Sequence, residues 1–384
     1  MLWRHNAKNM NKKEVLEIKK LFTPENSVIT RICGCYVDGN KEIKLKTREA
    51  FHSIPENDAF KYYEIFKHSL SGSIGKNLLN MDFPLESEKA GGTQEFLLRL
   101  RDSKLTDDTL TDEFFNKIIG NYNYGENYYI ILIHAVYDVP GKSSDGEEMF
   151  DSSDTVYDYI LCSICPVELS DAGLSYHIED NTITDRIRDW IVKPPAKAFL
   201  FPEFNDRASD IHSVLYYTKN SDDIQEGFIE NVFGTSSIPL SARAQSESFN
   251  TIVKQTLGEE CRLETIQNIQ ESISEMVENA KENPEPLILK KSGVKRILEN
   301  CGIEEEKLTD FDIQYDNVVG EKDTGIVVSN ISNFKKFSIK SPDIMINVSP
   351  GKADLIETRI IDGKKYFLIP VSEDVTVNGV NVNC

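Results

Sequence analysis

The chain has 384 residues, of which 40% are hydrophobic and 28% charged, and its formal net charge is −20. This composition is typical of a folded globular chain of about two to three domains, and it excludes a collagen, a disulfide-rich secreted scaffold and a disordered chain. The longest apolar stretch, residues 128–137, is about half of the ~20 residues that a membrane helix needs, so we expect no membrane segment.

The beginning of the chain and its cysteines bear on its compartment. Residues 1–9 are interpreted as an appendage, because Met10 opens a better-patterned segment and is an alternative start. Residues 1–11 contain no apolar segment of the kind found in secretory signals. Seven cysteines form an odd number spread over the chain, which is typical of free thiols in a reducing compartment. We therefore expect a cytoplasmic protein.

The first part of the chain predicts an α+β domain over residues 10–257. Apolar spacing and capping signals predict helices at residues 12–22, from Ser53 to about Leu70, near 93–101 and at 107–121. Residues 28–37 and the following Asp38-Gly39-Asn40 turn predict a hairpin. Further strands are expected at residues 127–139, at 155–165 (closed by Pro166), at 198–201 and at 210–218, with a polar loop over 140–154.

The remainder of the chain changes from helical to β patterning. Helices are predicted at residues 241–257, 263–280 and 293–300, so residues 258–320 are interpreted as a helical connector. Residues 321–384 are interpreted as a β-meander domain, since strands at 343–348, 355–361, 364–371 and 375–382 surround Asp-Gly and Asn-Gly turns. The expected fold class is α+β, with a mixed sheet core, flanking helices, the connector and this small C-terminal β-meander.

The charge is unevenly distributed along the chain. Residues 1–81 contain 14 Lys and Arg against 9 Asp and Glu, whereas residues 101–158 contain 4 against 13. Such asymmetry is found in chains whose basic region meets an anionic partner, and also in chains whose surface charge only confers solubility. A protein or ribonucleoprotein partner is therefore expected through the basic N-terminal region. We expect no sequence-specific DNA binding, because the known sequence signatures are absent.

Two cysteine pairs, Cys33/Cys35 and Cys162/Cys165, are spaced like structural zinc ligands. Both pairs lie in apolar, β-patterned runs, and on a regular strand Cys162 and Cys165 face opposite sides. They are zinc candidates only if the strand bulges. Burial of cysteine as a small apolar side chain explains both pairs without a metal, and we expect no metal or other cofactor.

The most polar cluster stands at a loop-to-strand transition and comprises Asp206, Arg207, Asp210 and His212. Two carboxylates, a histidine and an arginine at a strand edge can hold a divalent ion and a phosphate, as hydrolases and nucleases require. Turn chemistry explains Asp206 and the preceding Asn205 without catalysis. The cluster is the candidate catalytic site of a metal-dependent phosphoester hydrolase or nuclease.

Other catalytic signatures are incomplete. Residues 70–77 lack the first glycine and the final Ser or Thr of a phosphate loop. No Gly-x-Ser-x-Gly elbow occurs. His134 lies within an apolar strand, where a buried histidine bonded to a neighbour is expected.

Three segments resemble a known family. Residues 10–39, with Arg31-Ile32-Cys33-Gly34-Cys35-Tyr36 among them, resemble the opening of an uncharacterised family of low-GC Gram-positive bacteria that is classed only as a domain of unknown function. Residues 200–207 with 215–218 are similar to its central segment, and residues 357–363 to its C-terminal β region. The resemblance covers residues 10–384 and implies a bacterial cytoplasmic protein, but it implies no catalytic residue.

The absence of a complete catalytic motif and the charge asymmetry favour a binding or regulatory protein that docks to a macromolecular partner. An enzyme is the less favoured interpretation. The alternative is the metal-dependent phosphoester hydrolase or nuclease centred on Asp206, Asp210 and His212.

Overall fold

The computed structural model describes residues 9–142, 148–149, 155–235, 238–320, 325–331, 337–349, 351–371, 375–377 and 380–382. The chain divides into two compact units, Met1–Ser241 and Ala242–Cys384. Helices and antiparallel strands are both abundant in the described residues, so the α+β class is confirmed. The three-part division with boundaries after residues 257 and 320 stays a prediction.

The first unit contains most of the strands. Helices occupy four of the segments predicted from the sequence. One helix and seven strands lie where none was predicted: Glu226–Phe233, and Leu78–Asp82, Gly141–Lys142, Glu148–Met149, Leu174–His177, Thr182–Asp185, Trp190–Val192 and Glu203–Asn205. In chain order the elements are α1 Lys12–Lys20, β1 Ile29–Val37, β2 Ile43–Ala50, α2 Glu56–Ser69, β3 Leu78–Asp82, α3 Thr93–Asp102, α4 Asp108–Asn121, β4 Tyr128–Val139, β5 Gly141–Lys142, β6 Glu148–Met149, β7 Thr155–Leu169, β8 Leu174–His177, β9 Thr182–Asp185, β10 Trp190–Val192, β11 Lys197–Phe201, β12 Glu203–Asn205, β13 Ala208–Asp210, β14 Ser213–Thr218 and α5 Glu226–Phe233.

An eight-stranded sheet forms the centre of this unit. Its order is β2-β1-β4-β7-β11-β14-β3, with β10 paired to the end of β7, and every pair is antiparallel. Successive side chains of a strand point to opposite faces. In β4, Ile130 and Leu132 therefore pack with α3, α4 and α5, whereas Ile131 and Ile133 pack with α1 and α2. Burial on both faces explains why β4 is apolar almost throughout.

Two local predictions are wrong. Strand β7 does not close at Pro166 but continues to Leu169, because Pro166 lies opposite Tyr128, the first residue of β4, where a missing N–H interrupts little of the ladder. Ser53 does not cap α2; its hydroxyl donates to the Ala50 carbonyl at 2.7 Å, and Pro55 takes the N-cap position. In the loop predicted over 140–154, β5 pairs with β6; residues 143–147 and 150–154 lie outside the described residues.

The second unit has a helical core followed by hairpins. Phe249 of its first helix and Ile269 of its second are among the buried core residues. The C-terminal strands pair two by two as separate sheets, and the Asn378-Gly379 turn lies outside the described residues. In chain order the elements are α6 Ala242–Leu257, α7 Leu263–Asn279, β15 Ile288–Leu289, α8 Lys291–Asn300, α9 Phe311–Val319, β16 Ile326–Val327, α10 Val328–Ile331, β17 Phe337–Lys340, β18 Met345–Val348, β19 Glu357–Ile361, β20 Lys364–Leu368, β21 Val375–Val377 and β22 Val380–Val382.

Candidate functional site

The predicted polar cluster lies on and just after the β12–β13 hairpin. Asp206 and Arg207 form its two-residue turn, and both have left-handed backbone angles, with φ of 48° and 59°. That conformation suits a tight hairpin but is unusual for arginine. Arg207 is held there by its side chain, which donates to Glu17 of α1 at 2.9 Å and to the Pro140 carbonyl at 2.9 Å. Arg207 thus ties the hairpin to α1.

Asp210 and His212 are also bound within the fold. Asp210 accepts from the backbone N–H of His212 at 3.0 Å and from the hydroxyl of Ser213 at 3.3 Å. The His212 Nδ1 lies 2.9 Å from a carboxylate oxygen of Glu88. The carboxylate of Asp210 and the Nδ1 of His212 are therefore bound by groups of the same unit, as expected for a turn that leads into β14.

The four candidate residues do not form a metal site. Arg207 pairs with Glu17 and His212 with Glu88. Asp210 accepts a hydrogen bond from the backbone of its own turn. Among the residues that the structure describes, no group of three or more His, Cys, Asp or Glu side chains could hold a metal ion. A metal-dependent hydrolase needs such ligands together with an open coordination position, and the described geometry does not provide them.

Two buried carboxyl groups, Glu203 of β12 itself and Glu14 of α1, lie at this hairpin, and sequence reasoning missed both. Glu203 has no exposed surface; its Oε2 is 3.4 Å from the Met10 nitrogen, and its Oε1 has no hydrogen-bond partner. Burial raises the pKa of Glu203 well above its usual value, and the nearby carboxylates of Asp210, Asp82 and Glu14 add to the rise. Burial also raises the pKa of Glu14, against backbone N–H donors that include Asn11. Neither group can meet a substrate in this conformation.

The four zinc candidates lie on two faces of the sheet. Cys33, Cys35 and Cys162 belong to the core beneath α3, α4 and α5, whereas Cys165 belongs to the opposite core. Leu132 stands between Cys33 and Cys162 in the register, so their strands are roughly 10 Å apart. Burial raises the pKa of all four thiols, that of Cys35 to about 11. The structure does not bring them together.

His134 is buried in β4 as expected. Its Nδ1 lies 2.6 Å from the hydroxyl of Thr30, and its Nε2 is 2.7 Å from a carboxylate oxygen of Asp158. The ring is fully buried. These contacts fit a histidine that joins neighbouring strands.

The basic charge of the N-terminal region is partly neutralised within the fold. On β2, Lys44 pairs with Asp38 and Lys46 with Asp112 of α4, at 2.9 Å and 2.8 Å. Arg48 also pairs with Asp112. Cations engaged in this way are less available to an anionic partner than the sequence count indicates.

Residues 171–192, which we call the arm, contain most of the exposed large hydrophobic side chains of the first unit. The arm consists of the β8–β9 hairpin and β10, the last of which pairs with the end of β7. Its base is fixed by backbone hydrogen bonds from Arg186 to Gly173 and from Ser170 to Asp189, each of 2.8 Å. Eight large apolar side chains of the arm are exposed: Leu174, Tyr176, Ile178, Ile183, Ile187, Trp190, Ile191 and Val192.

The hairpin of the arm has one apolar and one polar face. Tyr176 lies opposite Ile183, so these two side chains share a face with Leu174 and with the single carboxylate of that face, Asp185, which lies opposite Leu174. Ser175 lies opposite Thr184 on the other face. An amphipathic sheet normally buries its apolar face, yet the exposed fractions are 76% for Leu174 and 68% for Ile183.

A groove of about 290 Å³ adjoins the base of the arm, and Val192 belongs to both. Its floor includes Tyr129, whose hydroxyl occupies the space above Gly34 that any Cβ would fill, and Tyr62 of α2, whose hydroxyl is 3.5 Å from that of Tyr129. The groove therefore extends from Val192 at the base of the arm to the edge of α2, and its lining is both polar and apolar. The groove is lined by Glu49, Ile54, Pro55, Asp58, Lys61, Tyr62, Ile65, Tyr129 and Val192.

Comparison with protein families gives one result. Residues 10–380 match DUF4317, a domain of unknown function. The chain belongs to the DUF4317 family. No curated protein matches it. Family membership thus accounts for nearly the whole chain and assigns no activity, so any functional argument for this DUF4317 chain rests on its own surface.

A further observation concerns membranes. In the part of this DUF4317 chain that the structure describes, no helix has both the length and the apolar character needed to cross a bilayer.

The arm was missed at the sequence level, although Leu174, Tyr176 and Ile178 alternate with polar residues as a half-buried strand would. That alternation was the available signal.

Proposed function

We propose that this DUF4317 chain is a binding protein that docks on another protein through the arm. The observation that supports this most directly is the exposure of its eight large apolar side chains. A large side chain has on the order of 200 Å² of accessible surface, so at their exposed fractions the eight present roughly 1,000 Å² to solvent. The largest contiguous apolar patch of an ordinary monomer is about 300–600 Å². The total of the arm is spread over both of its faces, with Leu174, Tyr176 and Ile183 together on one of them.

The charges of the arm favour a protein over a nucleic acid or a lipid surface. The arm has two arginines against five carboxylates, namely Asp171, Glu179, Asp180, Asp185 and Asp189. A phosphate backbone or an anionic bilayer would be repelled by this excess. A folded protein with an apolar patch can bind the arm without this electrostatic repulsion.

Docking through the basic N-terminal region, including to a ribonucleoprotein, stays a prediction. The ion pairs of Lys44, Lys46 and Arg48 with carboxylates of the same unit weigh against it as the main contact. A bacterial cytoplasmic setting belongs to the proposal too. Buried free thiols at Cys33, Cys35, Cys162 and Cys165 support a reducing compartment.

Native mass spectrometry of the chain, purified gently from its own host, tests the proposal. Ile183→Glu and Thr184→Glu each add one carboxylate at an exposed position of β9, but on opposite faces. A stoichiometric protein complex is expected for wild type and for Thr184→Glu, and its loss for Ile183→Glu. A chain that is alone in every sample, or a complex that Ile183→Glu leaves intact, would overturn the proposal.

A further inference from the structure

Two buried acceptors beside Met10 lack a hydrogen donor. Glu203 is fully buried; its Oε2 is 3.4 Å from the Met10 nitrogen, and its Oε1 has no partner. The side chain of Asn80 on β3 donates to the Met10 carbonyl at 3.2 Å, but its own oxygen is buried without a partner. Buried polar atoms are normally paired, so this part of the fold is short of donors.

The same place is also short of positive charge. Burial raises the pKa of Glu203, and the carboxylates of Asp210, Asp82 and Glu14 raise it further. These groups come from β13, β3 and α1, so separate elements of the fold direct carboxylates towards one buried carboxyl group. A cation at the Met10 nitrogen would donate to Glu203 and stabilise its ionised form.

We propose that this place is a binding site for an α-ammonium group, and that a chain beginning at Met10 fills it with its own amino terminus. As a peptide nitrogen, the Met10 nitrogen carries one hydrogen, whereas a terminal ammonium carries three, as that of lysine does. The two added hydrogens equal in number the two unpaired acceptors, Glu203 Oε1 and the Asn80 oxygen. The existing contact with Glu203 Oε2 would shorten to about 2.7–2.9 Å, as is usual between charged partners.

The position of Met10 suits this role. Its side chain is fully buried in the core that also contains Val15 and Ile18 of α1, which fixes the place of its nitrogen, whereas Asn9 is exposed. A chain that begins at Met10 retains every described residue of this core. The match to the DUF4317 family also starts at residue 10. The inference goes beyond the proposed function and does not depend on the arm.

Positive charge on the neighbouring elements does not take the place of this ammonium group. Arg207, the cation of the β12–β13 hairpin, pairs with Glu17. The start of α1 carries a partial positive charge, which by itself opposes an ammonium group there. Glu14 in the first turn offsets that charge, since its carboxylate accepts from the Asn11 N–H at 2.7 Å.

The amino terminus of the protein purified from its own host is the first test. We expect peptide mass spectrometry to find a chain that begins with an unblocked Met10. A terminus made by initiation at Met10 should disappear in Met10→Leu, whereas one made by cleavage after Asn9 should persist. A terminus upstream of Met10 in every molecule, or a blocked Met10, would overturn the proposal.

Replacement of Glu203 tests the contact itself at pH 7, where an α-amino group with a pKa of about 7.7–8.0 is protonated. Glu203→Gln should raise the urea midpoint of the 384-residue chain, because there the buried carboxyl group has only an amide beside it. In a chain that begins at Met10, the same substitution should increase the unfolding equilibrium constant about 100-fold, because it leaves a buried ammonium group without its counter-ion. The exposed control Glu126→Gln should change that constant by less than about twofold in both chains. A change of the same sign in both chains on Glu203→Gln would overturn the proposal.

Amine reactivity provides a second measurement that needs no substitution. In the folded chain that begins at Met10, acetic anhydride should modify the terminal amine at least about tenfold more slowly than it modifies a synthetic peptide of residues 10–20. Equal rates would show an exposed amine and would overturn the proposal even if Glu203→Gln prevented folding.

Discussion

Replacing Glu203 with glutamine removes a carboxyl group that the fold buries completely. One of its oxygens receives a long hydrogen bond of 3.4 Å from the Met10 nitrogen, and the other has no partner. The nearby carboxylates of Asp82, Asp210 and Glu14 disfavour its ionised form further. Ionisation in the folded state is therefore costly, and glutamine retains the shape without that cost.

The sign of the pH dependence follows from the raised pKa. The folded state holds the Glu203 proton to a higher pH than the unfolded state, whose pKa is near 4.5. The free energy of unfolding of wild type therefore falls as pH rises from about 4.5 to the folded-state pKa. Each pH unit in that window costs about 1.4 kcal/mol for one proton. Glutamine does not titrate, so the advantage of Glu203→Gln should grow by about that amount per unit.

Urea unfolding of the first unit provides the assay. Modification of Cys162, which is fully buried in β7, by a dithiodipyridine reports the opening of the sheet independently of the second unit, because this reagent reacts with accessible thiols at acidic as well as neutral pH. Urea midpoints are compared for wild type, Glu203→Gln and the exposed control Glu126→Gln at several pH values from 4.5 to 8. Parallel midpoints for wild type and Glu203→Gln at every pH would refute the reasoning. The reasoning would also be refuted if the urea midpoint of the Glu126→Gln control rose above that of wild type by a growing amount as the pH increases.

The remaining expectations concern packing, the hairpin tie and thiol reactivity. Gly34→Ala should lower the free energy of unfolding by about 2 kcal/mol in the same urea assay, because its Cβ would meet the Tyr129 hydroxyl, and adding Tyr129→Phe should recover part of the loss; an unchanged midpoint contradicts this. Arg207→Lys and Glu17→Gln should each lower the free energy of unfolding by about 1–3 kcal/mol. The double variant should lose no more than the larger single loss, since both substitutions break the same interaction. Fully additive losses would contradict the contact between the hairpin and α1. Without urea, iodoacetamide should modify the exposed Cys261 about 100-fold faster than the buried thiols of β7, as peptide mass spectrometry would measure; equal rates contradict their burial.

Local signals were enough to predict much of the fold. The amphipathic spacing of α1 and α7, the Asp107 cap of α4 and the β-branched run of β4 each depend on residues close in sequence. Elements defined by distant partners were missed. Strand β3 follows a glycine-bearing turn and is stabilised by pairing with β14, more than a hundred residues later, which no local pattern contains.

The candidate site could be predicted only as a collection of residue types. Asp206, Arg207, Asp210 and His212 are indeed close in sequence around one hairpin, but their chemistry depends on Glu17 and Glu88, which are distant in sequence. Because Arg207 and His212 pair with these two glutamates, residue types that are common in catalytic sites serve here to hold the fold together. Conversely, Glu203 is in sequence one acidic residue after a proline, and its raised pKa comes from burial and from carboxylates that the fold brings near it.

The most direct measurement of the central claim, that the arm is a docking surface, is photo-crosslinking in intact cells. A photoreactive phenylalanine derivative at position 183 points from the apolar face of the arm, and the same group at position 184 points from the polar face. We expect one predominant protein product from position 183 and little product from position 184. Absence of a product from position 183, or equal products from both positions, would contradict the account.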